Sequence, residues 1–115
     1  MATQIVSFGF RHGDPPQNGG LLGGKVVDVR TVFNRNPYRN KALRHLRGTD
    51  EAVARDIEKT PGFAASFASL AEIARSTSGV LYLGCTGGHH RSVYLAERIG
   101  KLLGIPVSHR DISRR

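Results

Sequence analysis

Val80-Leu81-Tyr82-Leu83-Gly84-Cys85-Thr86-Gly87-Gly88-His89-His90-Arg91-Ser92 is the stretch that decides the fold. Val80 to Leu83 is a continuous apolar run, as a strand covered on both faces requires. A glycine-rich turn follows it. From Arg91 to about Leu103, the residues Leu95, Ile99 and Leu102 recur at helical spacing, and Gly104 stands where a helix can end. Strand, glycine loop and helix in that order are the repeating unit of a parallel α/β sheet.

Outward from this unit the pattern continues. Residues 3–8, with Ile5, Val6 and Phe8, read as a first strand, and Lys25–Arg30 is a β-branched run that reads as a second. Between them, Gly13 to Gly24 is a loop rich in Gly, Pro and Asn, and Asn34 to Asn40 is another. Thr49 or Asp50 is placed to cap a helix through about Lys59. Pro61 suits the first turn of a helix over about 62–76, where Phe63, Phe67, Leu70 and Ala74 form an apolar stripe. Ile105–His109 reads as a last strand, where Pro106, which cannot donate to a ladder, marks an edge or an entry point. The expected architecture is a small three-layer α/β domain, with a mainly parallel sheet of about four strands flanked by helices. One domain is expected to span 1–115. Arg114-Arg115 reads as a basic tail.

The chain has 115 residues and a formal charge of +8, with 39% hydrophobic residues, which fits a globular domain with anionic partners. The lone cysteine, Cys85, excludes an internal disulfide. The opening Met-Ala-Thr-Gln-Ile-Val has no basic leader, and no run approaches roughly 18 apolar residues, so neither a signal peptide nor a membrane span is expected. The expected location is the cytoplasm.

The turn at 84–92 has the makings of an anion cradle. Backbone amides at a helix start lack intrahelical partners and lie at the positive end of the helix dipole. Gly84, Gly87 and Gly88 permit positive φ and close backbone approach. Thr86 and Ser92 add hydroxyl donors, and Arg91 adds a planar fork matched to phosphate oxygens. The same residues fit Cys-x5-Arg-Ser, and so resemble the signature of Cys-dependent tyrosine phosphatases. On that alternative reading Cys85 is the nucleophile, Arg91 holds the phosphate and Asp14 is the candidate general acid, while Asp28 within its apolar strand is structural. The principal reading instead makes Cys85 a buried loop-shaping residue and the protein not an enzyme.

Gly19 to Lys25 matches G-x4-G-K, but Val26 stands where a magnesium-binding hydroxyl belongs, and a strand follows. An ATP site there is not expected. Arg30, Arg35, Arg39, Lys41, Arg44 and Arg47 fall in a segment with no acidic residue, and Tyr38 among them can stack on a base. That is the expected RNA-binding footprint; His45 within it is taken as surface. His12, His89, His90 and His109 are expected near one pocket. His89-His90 lacks the i,i+4 spacing of helical zinc motifs, so no metal is expected. Histidines that donate to a phosphate make anion affinity rise as pH falls through their titration range.

Ser7-Phe8-Gly9-Phe10-Arg11-His12-Gly13, Asp28-Val29-Arg30, Asn34 and Asn36-Pro37, the block from Gly84 to Glu97, and Ser108-His109-Arg110-Asp111 together resemble the C-terminal domain of the RapZ family of RNase adapter proteins. The family commonly has Lys where His89 stands. The resemblance implies RNA binding, with a small regulatory RNA as partner, and sensing of glucosamine-6-phosphate; no cofactor is implied. It places the phosphosugar pocket at Thr86, Gly87, Gly88, His90, Arg91 and Ser92, with His12 and Arg30 as neighbours. Family members also carry an N-terminal P-loop nucleotide-binding domain, which is not in this sequence. An RNase, a separate P-loop NTPase and further copies of the chain are therefore the implied protein partners.

Overall fold

The computed structural model describes residues 1–15 and 24–114. Four strands alternate with three α-helices: β1 (Gln4–Gly9), β2 (Gly24–Asp28), α1 (Glu51–Glu58), α2 (Phe63–Ser76), β3 (Val80–Cys85), α3 (Arg91–Leu103) and β4 (Val107–His109). Short 3-10 turns at Phe10–His12 and Pro37–Arg39 complete the order. The strands form one all-parallel sheet in the order β2-β3-β1-β4. The expected α/β class and four-stranded sheet are present, and the sheet is parallel throughout.

Register follows side-chain alternation. Ile5 pairs with Leu81 and Ser7 with Leu83, which points these residues to the helical face. Ile5, Leu81, Leu83, Leu95 and Ile99 have no exposed surface, and they share one core with Val53 and Ile57 of α1 and with Leu70 and Ala74 of α2. Burying each of the larger aliphatic side chains contributes about 1.5–3 kcal/mol before entropy is charged against it. The opposite face carries the Val6–Tyr82–Val26 row, half-buried; a helical layer there has no member among the described residues. Phe8 on that face is fully buried beside Phe10, with the Arg110 guanidinium over its ring.

Several boundaries differ from expectation. Asp50 does stand at the N-cap of α1, but its carboxylate accepts from the Arg47 N–H at 2.6 Å instead of capping the helix. α2 starts at Phe63 after Gly62, which adopts φ +71°, so Pro61 lies in the preceding turn. Leu102 is exposed and Leu103 packs on the core, because the buried face of α3 runs through Ala96, Ile99 and Gly100. β3 reaches Cys85, and β4 is a three-residue edge strand entered through Pro106, whose carbonyl accepts from Ile5 N–H. Most of the Walker-like stretch, Gly19–Gly23, lies outside the described residues, as does most of the loop read from Gly13 to Gly24; Lys25 and Val26 are in β2.

Candidate functional site

Parallel sheets bind ligands beyond the carboxyl ends of their strands. Here β1 and β3 lie side by side, and their C-terminal connections, residues 10–13 and 86–90, interlock. The Arg11 N–H donates to the Thr86 carbonyl at 3.0 Å. A Cβ on Gly9 would stand 2.3 Å from the Gly87 carbonyl carbon, and one on Gly88, at φ +76°, 2.6 Å from the Gly9 nitrogen. Only glycine permits that contact. Gly84 has another reason: the Phe8 and Phe10 rings occupy the space of its Cβ. Gly87 is neither crowded nor in a positive-φ conformation.

Asp111 knots the far side. It is fully buried, and its Oδ2 accepts from the Gly9 N–H at 2.8 Å and from Arg110 Nη2 at 2.9 Å. Burial pushes its pKa up; the Arg110 hydrogen bonds, the Gly9 amide, and the Arg110 and Arg114 charges outweigh this and hold it below the usual carboxylate value.

A third segment closes the site from the other flank. The Gly48 N–H donates to the His89 carbonyl at 2.8 Å. The planar trans peptide then directs the paired N–H groups the opposite way. Gly87 N–H points away from Arg11, and His90 N–H away from Gly48. Among the described residues, the backbone N–H groups of 86–91 donate to nothing.

The cavity so formed has a volume of about 360 Å³. It is lined by Thr86, Gly87, His89, His90, Arg91 and Cys85 from the loop, by Arg11 after β1, and by Asn36, Tyr38, Arg44, His45 and Arg47 from the basic segment. Four arginines and three histidines line it, and among the described residues no carboxylate does. Arg91 is 5% exposed and has carbonyl oxygens as its only hydrogen-bond partners among the described residues: Phe33 at 3.2 Å and Arg30 at 3.4 Å. Burial lowers its pKa, opposed in part by Cys85. A buried guanidinium without a bonded carboxylate is costly unless an anion compensates it. Arg47 likewise spends its donors on the carbonyls of Ile112, His45 and Leu46.

His12, His89 and His90 form a row, with ring centroids 6.2 Å apart at each step. The Nε2 atom of each is buried without a partner among the described residues. Burial lowers the pKa of His89 and His90; the carbonyl of Arg114 opposes this at His89, and those of Leu46 and Arg44 oppose it at His90. Nearby Arg47 adds to the lowering at both. His109 is not in the row. Its Nδ1 lies 2.6 Å from Ser7 Oγ and its Nε2 2.7 Å from Glu97 Oε1, which ties β4 to β1 and α3. Among the described residues no group of three or more His, Cys, Asp or Glu is arranged to hold a metal ion.

The other residues singled out from sequence fall in different places. Ser92 is fully buried, with Oγ 3.1 Å from Cys85 Sγ. Gly88 and His12 support the loop without lining the cavity. Arg30 lies over the Phe10 ring at 4.4 Å and pairs with Asp28 at 2.8 Å. Its Asp28 hydrogen bond holds the Asp28 carboxyl below its ordinary pKa. Asp14 is exposed and does not line the cavity. Tyr38, Arg44 and Arg47 join the anion loop in one cleft. Arg35 and Arg39 line a second, smaller recess, and Lys41 lines neither. Sequence reading missed Arg11 and took His45 for plain surface. The available signal for Arg11 was its position just beyond the carboxyl end of a strand.

Sequence comparisons place the chain in a family. A family model described as the RapZ C-terminal domain matches residues 1–113. A nucleotide-binding protein of Cereibacter sphaeroides is 39% identical over 130 aligned residues, covering 100% of this chain and 41% of that protein. One from Pseudomonas fluorescens is 37% identical, covering 97% of this chain and 42% of its own length. One from Lactiplantibacillus plantarum is 35% identical, covering 97% and 40%. The chain thus spans about two-fifths of these bacterial relatives. With the match running through both the interlocked loops and the basic segment, the chain belongs to the RapZ C-terminal domain family.

Proposed function

We propose that this domain is a binding module that takes a phosphosugar of the glucosamine-6-phosphate type in the cleft and RNA along the adjoining basic segment. The observation that carries the reading is the cleft lining: arginines and histidines with no carboxylate among the described residues, around a loop whose amides have no partner among them. A volume of about 360 Å³ lies within the range of small-molecule sites. Phosphate oxygens take the Arg91 fork and the amides of 86–91; the sugar faces Arg11 and His89. RNA phosphates meet Arg44 and Arg47, and a base stacks on Tyr38, which is 52% exposed. Thr86, Gly87, His90 and Arg91 hold the anion directly; Gly88, Ser92, His12 and Arg30 position them. Arg35, Arg39 and Lys41 extend the RNA path. An RNase, a P-loop NTPase and further copies of the chain are the expected protein partners, in the cytoplasm; no helix among the described residues is long and apolar enough to cross a membrane.

Calorimetric titration with glucosamine-6-phosphate and filter binding of a structured RNA test the two halves. RNA affinity should fall with salt by a log–log slope of roughly 0.7–0.9 per phosphate contacted. Absence of RNA binding at low salt removes the RNA half, and phosphate density away from residues 84–91 in a soaked crystal removes the sugar half.

One contact favours a second reading. Cys85 lines the cleft, with its Sγ 3.1 Å from Ser92 Oγ, as a nucleophile beside a hydroxyl of the same loop would stand. Against a phosphatase, no carboxylic acid that could protonate a leaving group lines the cleft among the described residues. Turnover of an activated aryl phosphate that disappears in Cys85→Ser would establish the enzyme; the binding reading expects none from either protein.

A further inference from the structure

We propose that the second recess, beside the anion cleft, is a guanine-reading pocket for single-stranded RNA. The proposal rests on the RNA reading above and specifies it. The recess has a volume of about 230 Å³ and is lined by Asn34, Arg35, Asn36, Arg39, Asn40 and Asp56. Asn36 also lines the anion cleft, so the two cavities adjoin. A strand whose phosphate sits in one can place a neighbouring base in the other.

The recess is built for hydrogen bonding more than for charge. Arg35 is compensated by Asp56, with Nη2 to Oδ1 at 2.6 Å. The Oδ1 of Asn36 accepts from Tyr38 N–H at 3.2 Å, and that of Asn40 accepts from Ala42 N–H at 2.9 Å. These bonds fix the amide orientations and leave both Nδ2 groups as outward donors. Arg39 donates its side chain to nothing among the described residues, and Asp56 Oδ2 accepts nothing among them. The lining therefore offers several fixed donors around one nearly buried carboxylate.

Guanine is the base that answers this set. Its O6 and N7 accept, and its N1–H and N2–H lie side by side to donate to a carboxylate. Adenine presents one exocyclic donor group, and uracil a single N–H between two carbonyls. Unpaired RNA bases are read in this way, by edge hydrogen bonds next to an aromatic stacking surface. Tyr38, which lines the adjoining cleft, supplies that surface for the neighbouring base, with the Arg44 guanidinium 4.8 Å from its ring centroid.

The test is fluorescence anisotropy with labelled eight-nucleotide strands: all uridine, and the same strand with one central guanosine, adenosine or inosine. The guanosine strand should bind about tenfold tighter than the adenosine strand, and inosine should lose most of that gain. Asn34→Ala and Arg39→Ala disturb no hydrogen bond among the described residues, so each should fold. Each should cut the guanosine preference to under about threefold; Asn34→Ala should leave all-uridine binding the same, while Arg39→Ala, which also loses a cation of the RNA path, should weaken all strands together. Asp56→Asn should abolish the preference; if it fails to fold, the two surface variants still decide. Equal binding of the guanosine and adenosine strands overturns the guanine pocket and leaves the RNA reading intact. No binding of any strand at low salt overturns both. GMP binding as tightly as the guanosine strand assigns the pocket to a free nucleotide and overturns its role in RNA.

Discussion

Arg91→Met separates the cost of holding a buried cation from its value to the ligand. In the wild type the guanidinium is 5% exposed and bonds only the Phe33 and Arg30 carbonyls among the described residues. The methionine removes a desolvated charge, which favours the folded state, and leaves those carbonyls without a donor, which costs about 1–3 kcal/mol for each that is truly buried. These effects oppose each other, so ligand-free stability should change by no more than about 2 kcal/mol. Binding should suffer more. A charged hydrogen bond contributes about 1.5–3 kcal/mol, so phosphate affinity should fall roughly 10- to 150-fold. At a phosphate concentration of 100 times the wild-type Kd, linkage stabilises the wild type by about 2.7 kcal/mol. Unfolding entropy near 2.1 cal/mol/K per residue, over 115 residues, turns that into a Tm rise of about 11 °C. The same concentration should raise the variant's Tm by only about 1–6 °C. Thermal melts with and without phosphate, with calorimetry for Kd, measure both quantities. Equal Tm rises in the two proteins would refute Arg91 as the centre of the anion site.

Because burial keeps His89 and His90 below the ordinary histidine value of about 6.5, both are neutral at pH 7 in the free protein. Anion affinity should therefore rise as pH falls below that value, and His90→Gln should flatten the calorimetric profile. The sign for stability is opposite: their contribution is full above about pH 6.5 and is lost as pH falls toward the lowered values. Gly88→Ala places a Cβ at positive φ and 2.6 Å from the Gly9 nitrogen, so urea melts should show a loss of about 2–5 kcal/mol. Tyr38→Leu should weaken RNA by roughly 5- to 150-fold, the worth of one stacked base, and leave phosphate affinity in calorimetry unchanged. Asp111, with its lowered pKa, contributes stability that is present above about pH 3.9 and lost as pH falls below it; in Asp111→Asn, acid melts should lack that step.

What could be read from sequence was mostly local. Val80–Leu83 followed by a glycine turn and Arg91 is a strand, loop and helix whichever way the rest of the chain runs, and the structure has all three, with the strand two residues longer. Leu102 was misplaced because three and four residues both approximate a 3.6-residue turn; only packing against the sheet selects Leu103. The joining of two readings into one site was not legible. Nothing in the segment 36–47 announces that Gly48 hydrogen-bonds His89, yet that contact brings Tyr38, Arg44 and Arg47 to the anion loop. Arg35 shows the same limit from the other side. Its charge was visible, but its compensation by Asp56, twenty-one residues on, depends on where α1 packs.

The Asp111 knot makes residues 111–114 a clasp on the ligand loop. Asp111 holds Gly9, the Ile112 carbonyl takes Arg47 Nε at 2.8 Å, and Arg114 pairs with Asp111 at 3.2 Å. Cleavage within this stretch would release Arg47 and Gly9 together, without touching a residue that meets the anion through its side chain. An occupied cleft, by holding Arg47 in place, should in turn shield the clasp from cleavage. The survival time of the Arg110–Arg114 backbone against an endoprotease thus becomes a gauge of how much ligand is bound.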